Sequence, residues 1–336
     1  MTSKKTSNSV DSASALKSID DKVSDLVGKV AELTTKNANL SNSYETHQKN
    51  NDHMLKMLGE YSIRLWHMEH ALGGQGEDNS EFLSLEDKIN EVRLRERVLL
   101  NSLLGQPPEP EEAPKLLASR QKTIAQQWKK LERQYPKVFE KFKNVFEAGE
   151  KNYLDDPVGR LSIDDHSEAQ KFKNFISPYI KGRVLDIGCG PQPKPSYLAN
   201  IENSQISGLD PIAPKKKHPF DFVQGFGEYL PWAAKSFSSV VLATTLDHYC
   251  DLDAGLDEIM RVLKPGGYLL AWITETEGAP AYHAADPDLS YADEEHLYHI
   301  DTAWLFPMLE KRGLVKFEEM RFSRPFKYVF FVYKKS

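Results

Sequence analysis

The second half of the chain alternates short apolar strands with helical stretches, and this alternation restricts the fold more than any other feature. Strands are predicted over residues 184–187, 206–210, 240–244 and 268–274, with helical stretches beginning at 195 and running over 254–263. Strands separated by helices form a parallel sheet with right-handed crossovers. The sequence therefore predicts an α/β fold.

The end of the chain breaks this alternation. A helix is predicted over residues 301–312, followed by strands over 315–322 and 326–333 that the turn Ser323-Arg324-Pro325 joins. Two strands joined by a short turn are antiparallel. We therefore expect an antiparallel C-terminal hairpin at the edge of the sheet.

The first part of the chain carries a heptad pattern from Leu16 to Leu72, in which apolar positions recur at alternating spacings of three and four. A single amphipathic helix drifts away from strict sevens over such a length, so a long α-helical coiled coil is favoured over a surface helix. Asn37 and Asn51 at core positions favour a parallel dimer, whereas the bulky Tyr44 leaves a trimer open. The predicted partner of this segment is a second copy of the chain.

Glycine and proline divide the rest of the chain. The predicted organisation is a disordered N-terminus (1–15), the coiled coil (16–72), a helical segment (73–104), a Pro-rich linker (105–115), a helical connector (116–152) and an α/β domain (153–336). The connector carries no cluster of reactive side chains, so assembly or reach is its expected role.

Composition excludes several classes of protein. The net charge is −6, so no global basic field attracts a polyanion, and no DNA partner is expected. The two cysteines, Cys189 and Cys250, are too few for a disulfide scaffold or a four-thiolate zinc site. No apolar run is long enough for a membrane span, and the first residues are not an apolar signal core, so a soluble, cytoplasmic protein is predicted.

Four motifs follow one another in the second half: the strand and glycine turn of residues 184–190, the acid Asp210 at the end of the next strand, residues 225–232, and residues 261–267. In this order and at these spacings they resemble class I S-adenosylmethionine-dependent methyltransferases of the type-11 kind, over roughly residues 153–336. The resemblance implies a Rossmann-like, mostly parallel seven-stranded sheet and S-adenosyl-L-methionine as the cofactor.

The residues of these motifs give the predicted cofactor site. Gly188 and Gly190 permit close approach of the backbone to a ligand, and the Asp210 carboxylate can accept both ribose hydroxyls. The resemblance implies that Asp186 orders the glycine turn and faces the amino-acid end of the cofactor. The predicted cofactor-binding residues are Asp186, Gly188, Gly190, Asp210, Phe226, Gly227 and Thr244.

The sequence departs from the family pattern at Phe226, where an acid is frequent. Phe226 can flank adenine, in which case the hydrogen bond to the exocyclic amine comes from backbone near Gly227 or from elsewhere; a core role for Phe226 is the alternative. A dehydrogenase is the competing interpretation of the glycine turn. The third glycine of a pyrophosphate-binding turn is absent, however, and Gln192 follows Pro191. Since S-adenosylmethionine has no phosphate, this absence favours it over NAD.

Four residues are the catalytic candidates: Asp247 and His248 after the third strand, and His296 and His299 in a late polar loop. A hydroxyl acceptor needs a base, and histidine suits that role near neutral pH, with Asp247 as orienter or alternative base. A pocket-shaping His248 with two surface histidines is the other interpretation. No compact spacing of metal ligands is present, so no metal site is predicted; a divalent-metal site formed by the acids and histidines of this loop stays open as an alternative.

The predicted function is methylation of a hydroxyl on a sugar or glycan, with capping of a polysaccharide as one form, by an enzyme that its coiled coil oligomerises. Two alternatives stay open. One is a coiled-coil scaffold whose methyltransferase fold only binds the cofactor, and the other is an RNA or protein methyltransferase.

Overall fold

A computed structural model describes residues 28–29, 87, 90, 93–94, 112–155, 166–285, 293–323 and 327–336. Gly28 and Lys29 are helical. The rest of the predicted coiled coil, the N-terminus, most of the helical segment 73–104 and most of the linker lie outside these residues. From Asp87 onward the described residues belong to one compact unit, Ser80–Ser336.

One seven-stranded sheet forms the centre of this unit, with strand order β3-β2-β1-β4-β5-β7-β6. The strands are β1 (Val184–Ile187), β2 (Ile206–Asp210), β3 (Asp221–Gln224), β4 (Phe237–Ala243), β5 (Leu263–Thr274), β6 (Leu314–Phe322) and β7 (Tyr328–Lys335). The first five strands are parallel, and β7 pairs antiparallel with both β5 and β6. The predicted mostly parallel sheet with an antiparallel C-terminal hairpin is confirmed.

The helices are α1 (Ile124–Gln134), α2 (Pro136–Asp155), α3 (Ser167–Ile176), α4 (Leu252–Val262) and α5 (Thr302–Lys311). They cover both faces of the sheet because side chains of a strand point alternately to opposite sides. Leu185 and Val240 pack in one apolar cluster with residues of α4 and α5, whereas Val184 and Val241 pack in a second cluster with residues of α3. Burial on both faces explains why most residues of β1 and β4 are apolar, with Asp186, Ser238 and Ser239 as the exceptions.

The connection between β1 and β2 differs from the prediction. Instead of a helix beginning at Pro195, residues Ser196–Leu198 and Asn203–Gln205 form two short 3-10 turns. The prolines at 191, 193 and 195 favour extended backbone in the residues that precede them. The glycine turn is therefore not followed by the N-terminus of an α-helix.

The predicted helical connector is two helices rather than one. Thr123 caps α1 through its side chain, α1 ends before Tyr135, and Pro136 begins α2 at the position where a missing N–H is tolerated. Both helices pack on the main apolar cluster through Leu131, Val138 and Phe142. No helix among the residues described here is both long and apolar enough to span a bilayer.

The few described residues of the segment 73–104 contact the C-terminal hairpin. The Asp87 carboxylate accepts hydrogen bonds from the backbone N–H and the hydroxyl of Ser323, at 3.1 and 2.9 Å. The Asn90 amide donates to the carbonyl oxygen of Arg321 at 2.7 Å, and Leu94 is buried in the second apolar cluster. These contacts attach this part of the chain to the edge of the sheet.

Candidate active site

A cleft lies at the carboxyl ends of β1, β2 and β4, where open α/β sheets bind ligands. It contains about 910 Å³ of empty space, part of which is open to solvent. The ends of the strands form its floor, and α2 supplies Phe142, Val145, Phe146, Gly149, Glu150 and Tyr153 to its wall. The helical connector, for which only assembly or reach was expected, is therefore one side of the cleft.

The glycine turn forms the part of the floor that follows β1. Gly188 and Gly190 have φ angles of +78° and +71°, in the left-handed region that favours glycine. The Gly188 N–H donates to the carbonyl oxygen of Leu209 at 2.7 Å, which fastens the turn to β2. Backbone with no side chain at either glycine therefore faces the cleft.

Asp210 lies at the end of β2 and lines the cleft. One carboxylate oxygen accepts from the Gly190 N–H and the other from the Ile212 N–H, both at 2.8 Å. Burial raises the pKa of Asp210 to about 6, although both hydrogen bonds act in the opposite direction. Each oxygen keeps one lone pair, so the carboxylate can hold the turn and accept hydroxyls of a ligand.

Asp186 lies below the cleft rather than in its lining. It is fully buried, and the hydroxyl of Tyr197, a residue that does line the cleft, donates to its two oxygens at 3.1 and 3.3 Å. Burial raises the pKa of Asp186 to about 8; the Tyr197 hydrogen bond lowers it, and the charge of Asp210 raises it further. Direct contact of Asp186 with a cofactor was expected, whereas here Tyr197 stands between that carboxyl group and the cleft.

This buried acid makes stability depend on pH. Unfolded, Asp186 loses its proton near pH 4, but the folded protein keeps it up to about pH 8, so stability falls as pH rises between these values. We expect the free energy of unfolding of the wild type to fall by about 1.4 kcal/mol per pH unit between pH 6 and 8 relative to Asp186→Asn, which has no proton to lose. Urea denaturation at pH 6, 7 and 8 measures this difference, and parallel pH profiles for the two proteins would contradict it.

An aromatic cluster forms the part of the cleft nearest β3. Phe226 packs edge-on against Trp128 of α1, with ring centroids 5.0 Å apart, and against Phe142 and Phe146 of α2, at 5.6 and 6.0 Å. Phe226 is 5% exposed and lines the cleft, so it belongs to the core and also faces a ligand. Its backbone N–H donates to the side chain of Gln127 at 2.8 Å.

Gly227 differs from its prediction as a cofactor residue, because it does not line the cleft. A Cβ at this position would lie 2.3 Å from the hydroxyl oxygen of Tyr249, so the glycine makes room for that ring. The bare backbone here serves the packing of residues 227–229, which form a 3-10 turn, against Tyr249.

The residues after β4 form the other end of the cleft. Thr244, Thr245 and His248 line it, and Thr244 has a positive φ of 52°, which is uncommon for a residue with a branched side chain. The Thr244 N–H donates to the carbonyl oxygen of Trp272 at 2.8 Å. Strained backbone of this kind is concentrated at functional sites.

All four catalytic candidates lie together at this end. The rings of His248 and His296 have centroids 5.6 Å apart, and those of His296 and His299 are 6.2 Å apart. Asp247 lies between the first two, with one carboxylate oxygen 3.7 Å from His248 Nε2 and the other 4.0 Å from His296 Nε2. We call Asp247, His248, His296 and His299 the histidine cluster.

The late polar loop is held over this end by contacts on both sides. The Leu297 N–H donates to the carbonyl oxygen of Asp247 at 3.2 Å. From α2, Lys141 donates to the carbonyl oxygen of Asp293 at 2.8 Å, and Asn152 donates to the Glu295 side chain at 3.1 Å. These hydrogen bonds connect the α2 wall of the cleft to the segment that carries His296.

The environment separates the pKa values of two histidines. Burial lowers the pKa of His248, and the neighbouring carboxylate of Asp247 only partly opposes this. Burial also lowers the pKa of His296, but Asp247 and Asp293 outweigh it and raise that pKa; the Asp293 carboxylate lies 3.0 Å from His296 Nδ1. At neutral pH the lower pKa of His248 favours its unprotonated form more than that of His296 does. His248 is therefore the better placed of the two to accept a proton.

The charges of the cleft fit a cofactor without phosphate. Among the described lining residues there is no lysine or arginine, and Glu150, Asp210 and His248 are the ones that can carry charge. No α-helix begins after the glycine turn anywhere in the fully described stretch 184–210, so a pyrophosphate would find no helix N-terminus. The cleft, its carboxylate and its exposed backbone therefore suit S-adenosylmethionine better than NAD.

Sequence reasoning missed two features of this site. The aromatic positions of α2 were visible as an amphipathic pattern, but the pattern does not tell which element of the fold a helix covers. Gln192 lines the cleft, but in the sequence it stands out only as a departure from a glycine pattern. In the described residues no group of three or more histidine, cysteine, aspartate or glutamate side chains is arranged to hold a metal ion.

Comparison with known proteins agrees with this geometry. Residues 185–271 match the family model described as a methyltransferase domain. The predicted resemblance to class I S-adenosylmethionine-dependent methyltransferases is confirmed, and S-adenosylmethionine is the cofactor of that class.

Relatives match over part of the chain. A fatty-acid O-methyltransferase from Mycolicibacterium smegmatis is 29% identical over 157 residues, which cover 42% of this chain and 56% of that protein. A demethylmenaquinone methyltransferase from Chlorobaculum parvum is 31% identical over 116 residues, covering 32% and 48%. The chain thus spans about half the length of these curated relatives. The crystal structure of a Burkholderia thailandensis 1,6-didemethyltoxoflavin-N1-methyltransferase superposes with a TM-score of 0.46 and 15% identity, covering 68% of this chain and 94% of that one.

Proposed function

We propose that this chain, which carries a class I S-adenosylmethionine-dependent methyltransferase domain, transfers a methyl group to a hydroxyl oxygen of a sugar or glycan. One observation carries the proposal: the cleft that has the carboxylate of Asp210 on its floor is lined at its other end by His248, whose pKa is lowered by burial. The binding end and the acid–base end are thus parts of one cleft.

The residues of the cleft would hold the cofactor in a fixed order. The backbone at Gly188 and Gly190 would lie against it, Asp210 would accept the ribose hydroxyls, and Phe226 would contact the adenine ring. Thr244 lies at the end of β4, nearest the histidine cluster. When bound, S-adenosylmethionine supplies an electrophilic methyl group on a sulfonium centre.

The histidine cluster would handle the proton of the acceptor. His248 takes the proton from the hydroxyl as the oxygen is methylated, and Asp247, 3.7 Å away, stabilises the imidazolium that forms. His296, which is within 4.0 Å of the same carboxylate, offers the proton a route towards solvent. The α2 wall excludes water from the apolar end of the cleft, so the acceptor rather than water meets the cofactor.

Two acceptor classes compete. A base beside the cleft supports a hydroxyl acceptor, because a hydroxyl must lose its proton, whereas a carboxylate does not. The names of relatives favour an apolar acceptor: one is a fatty-acid O-methyltransferase, and another methylates phthiotriol dimycocerosates. A lipid-like acceptor with an oxygen nucleophile is therefore the second candidate.

Methyl-labelled S-adenosylmethionine distinguishes a glycan acceptor from a lipid-like acceptor. The full chain is incubated with the label and, separately, with glycans, free fatty acids, lipid phenols, RNA and protein lysate. We expect label in the glycan fraction, dependent on His248. Label in the fatty-acid fraction, unaffected by loss of His248, would overturn the glycan proposal in favour of the second candidate.

We also propose that the chain acts in the cytoplasm and self-associates through residues 16–72, which lie almost wholly outside the described part. The parallel dimer expected from the heptads has twice the monomer mass of 38.2 kDa. Light scattering on the full chain and on a chain that starts at Ser80 measures both masses. A monomeric full chain would remove the coiled coil from the proposal.

A further inference from the structure

We infer that Gln192 binds the amino-acid end of S-adenosylmethionine, with its carboxamide donating to the ligand's carboxylate and accepting from the ligand's ammonium group. The inference rests on the proposed function and deepens it. It assigns a ligand contact to a residue that the family pattern does not explain.

The Gln192 side chain has unused hydrogen-bonding capacity. The residue is 4% exposed, and both polar atoms of its carboxamide, Oε1 and Nε2, are buried with no hydrogen-bond partner in the described structure. Buried amides are nearly always paired, because an unpaired one forfeits its hydrogen bonds to water. Of the buried side-chain polar atoms without a partner in the described residues, only those of Gln192 line the cleft. A ligand in the cleft is therefore the partner that this carboxamide lacks.

The position of Gln192 selects one end of the ligand. A Cβ at Gly190 would lie 2.2 Å from Gln192 Oε1, so the carboxamide rests directly on the glycine turn after β1. Asp210 ends β2, and Phe226 follows β3, two strands from β1 in the sheet. Neighbouring strands are about 4.8 Å apart, so Phe226 and the glycine turn lie roughly 10 Å apart across the sheet. With adenine at Phe226 and ribose at Asp210, the amino-acid end reaches the turn and Gln192.

The charges of the cleft explain why a carboxamide is suitable there. The amino-acid end of the cofactor carries both a carboxylate and an ammonium group, and no lysine or arginine lines the described cleft to pair with that carboxylate. A glutamine offers two N–H donors and an acceptor oxygen without a net charge. It can therefore serve both charged groups, where a cationic side chain would serve only one.

Binding of two ligands can show whether Gln192 contacts the amino-acid end of the cofactor or another part of it. S-adenosylhomocysteine carries the amino-acid end, and 5′-methylthioadenosine has the same adenosine and sulfur but lacks it. We expect Gln192→Leu to raise the calorimetric Kd for S-adenosylhomocysteine about 10- to 100-fold, as for the loss of hydrogen bonds to charged groups, and to leave the Kd for 5′-methylthioadenosine unchanged. Gln192→Glu keeps the shape of the side chain but repels the ligand's carboxylate. It should therefore weaken the binding of S-adenosylhomocysteine at least as much as Gln192→Leu does.

The ligand-free protein supplies an independent readout. Because Gln192→Leu replaces unpaired polar atoms with apolar ones, its midpoint of thermal unfolding without ligand should equal or exceed that of the wild type. Gln121→Leu, at an exposed position, is the control that should change neither Kd.

Each other outcome refutes the inference. An equal loss of affinity for both ligands would mean that Gln192 contacts the adenosine. Unchanged affinity for both would mean that Gln192 contacts no part of the cofactor. If neither ligand binds even the wild type, the proposed function fails first and the inference fails with it.

Discussion

Replacing His248 with asparagine should lower kcat by about 100- to 10,000-fold and leave the Kd for S-adenosylhomocysteine within about twofold of the wild type. His248 lines the end of the cleft where the acceptor would lie, and burial lowers its pKa, which favours the unprotonated ring that a base requires. Asparagine keeps a polar side chain of similar reach but cannot take up a proton. The loss therefore falls on the chemical step rather than on cofactor binding.

Single-turnover transfer of labelled methyl to the acceptor found in the panel measures this effect, together with calorimetry. His283→Asn is the matched control, since the His283 side chain is 60% exposed and lies 4.0 Å from Asp253, outside the histidine cluster. His296→Asn should lower kcat less than His248→Asn does, because His296 contacts Asp247 and does not take the proton from the acceptor directly. An unchanged rate in His248→Asn with cofactor binding intact would end the assignment of His248 as the base and favour a carboxylate acceptor, which needs none.

Replacing Asp210 with asparagine should raise the Kd for S-adenosylhomocysteine about 100-fold or more. The carboxylate accepts from the N–H groups of Gly190 and Ile212 and has lone pairs left for ribose hydroxyls. In asparagine one oxygen becomes an NH₂ group that points at one of those N–H donors, so the turn loses a hydrogen bond and meets a repulsive contact. Both the shape of the turn and the ribose contact are affected.

Calorimetric titration measures the change, and circular dichroism checks that the variant is folded. Asp221→Asn is the control, because Asp221 is exposed at the start of β3. Equal affinities for the wild type and Asp210→Asn would mean that the ligand does not reach the end of β2. The order of cofactor contacts along the sheet would then be wrong.

The parts of the fold that the sequence predicts well are those with strong local signals. β1 and β2 are short, mostly apolar segments; Gly188 follows β1 and Asp210 ends β2, and the predicted bounds of both strands match the structure. β3 was not predicted, because Asp221–Gln224 is short and begins at an exposed position. The predicted helix at 195 is wrong: Ser196–Leu198 forms a 3-10 turn, and the prolines at 191, 193 and 195 favour extended backbone just before it.

In the candidate site, too, only the residues with a local sequence signal could be predicted. Residues at the end of a strand or shortly after it, such as Asp210, Thr244 and His248, could be placed at one edge of the sheet from the order of the strands alone. The contacts of His296 and of α2 could not, because they join segments that are far apart in sequence, as in the hydrogen bond between Asn152 and Glu295. The position of Asp186 below the cleft could not be predicted for a similar reason. Tyr197, which lies in the connection between β1 and β2, covers the Asp186 carboxyl group.

Every role given above to a site residue requires that the cleft above the glycine turn binds an adenosyl sulfonium cofactor. Calorimetric titration of the full chain with S-adenosylhomocysteine, repeated in the presence of excess NAD, tests it most directly. We expect saturable binding of one S-adenosylhomocysteine per chain, which NAD does not displace. No heat at sub-millimolar S-adenosylhomocysteine, or displacement by NAD, would contradict it.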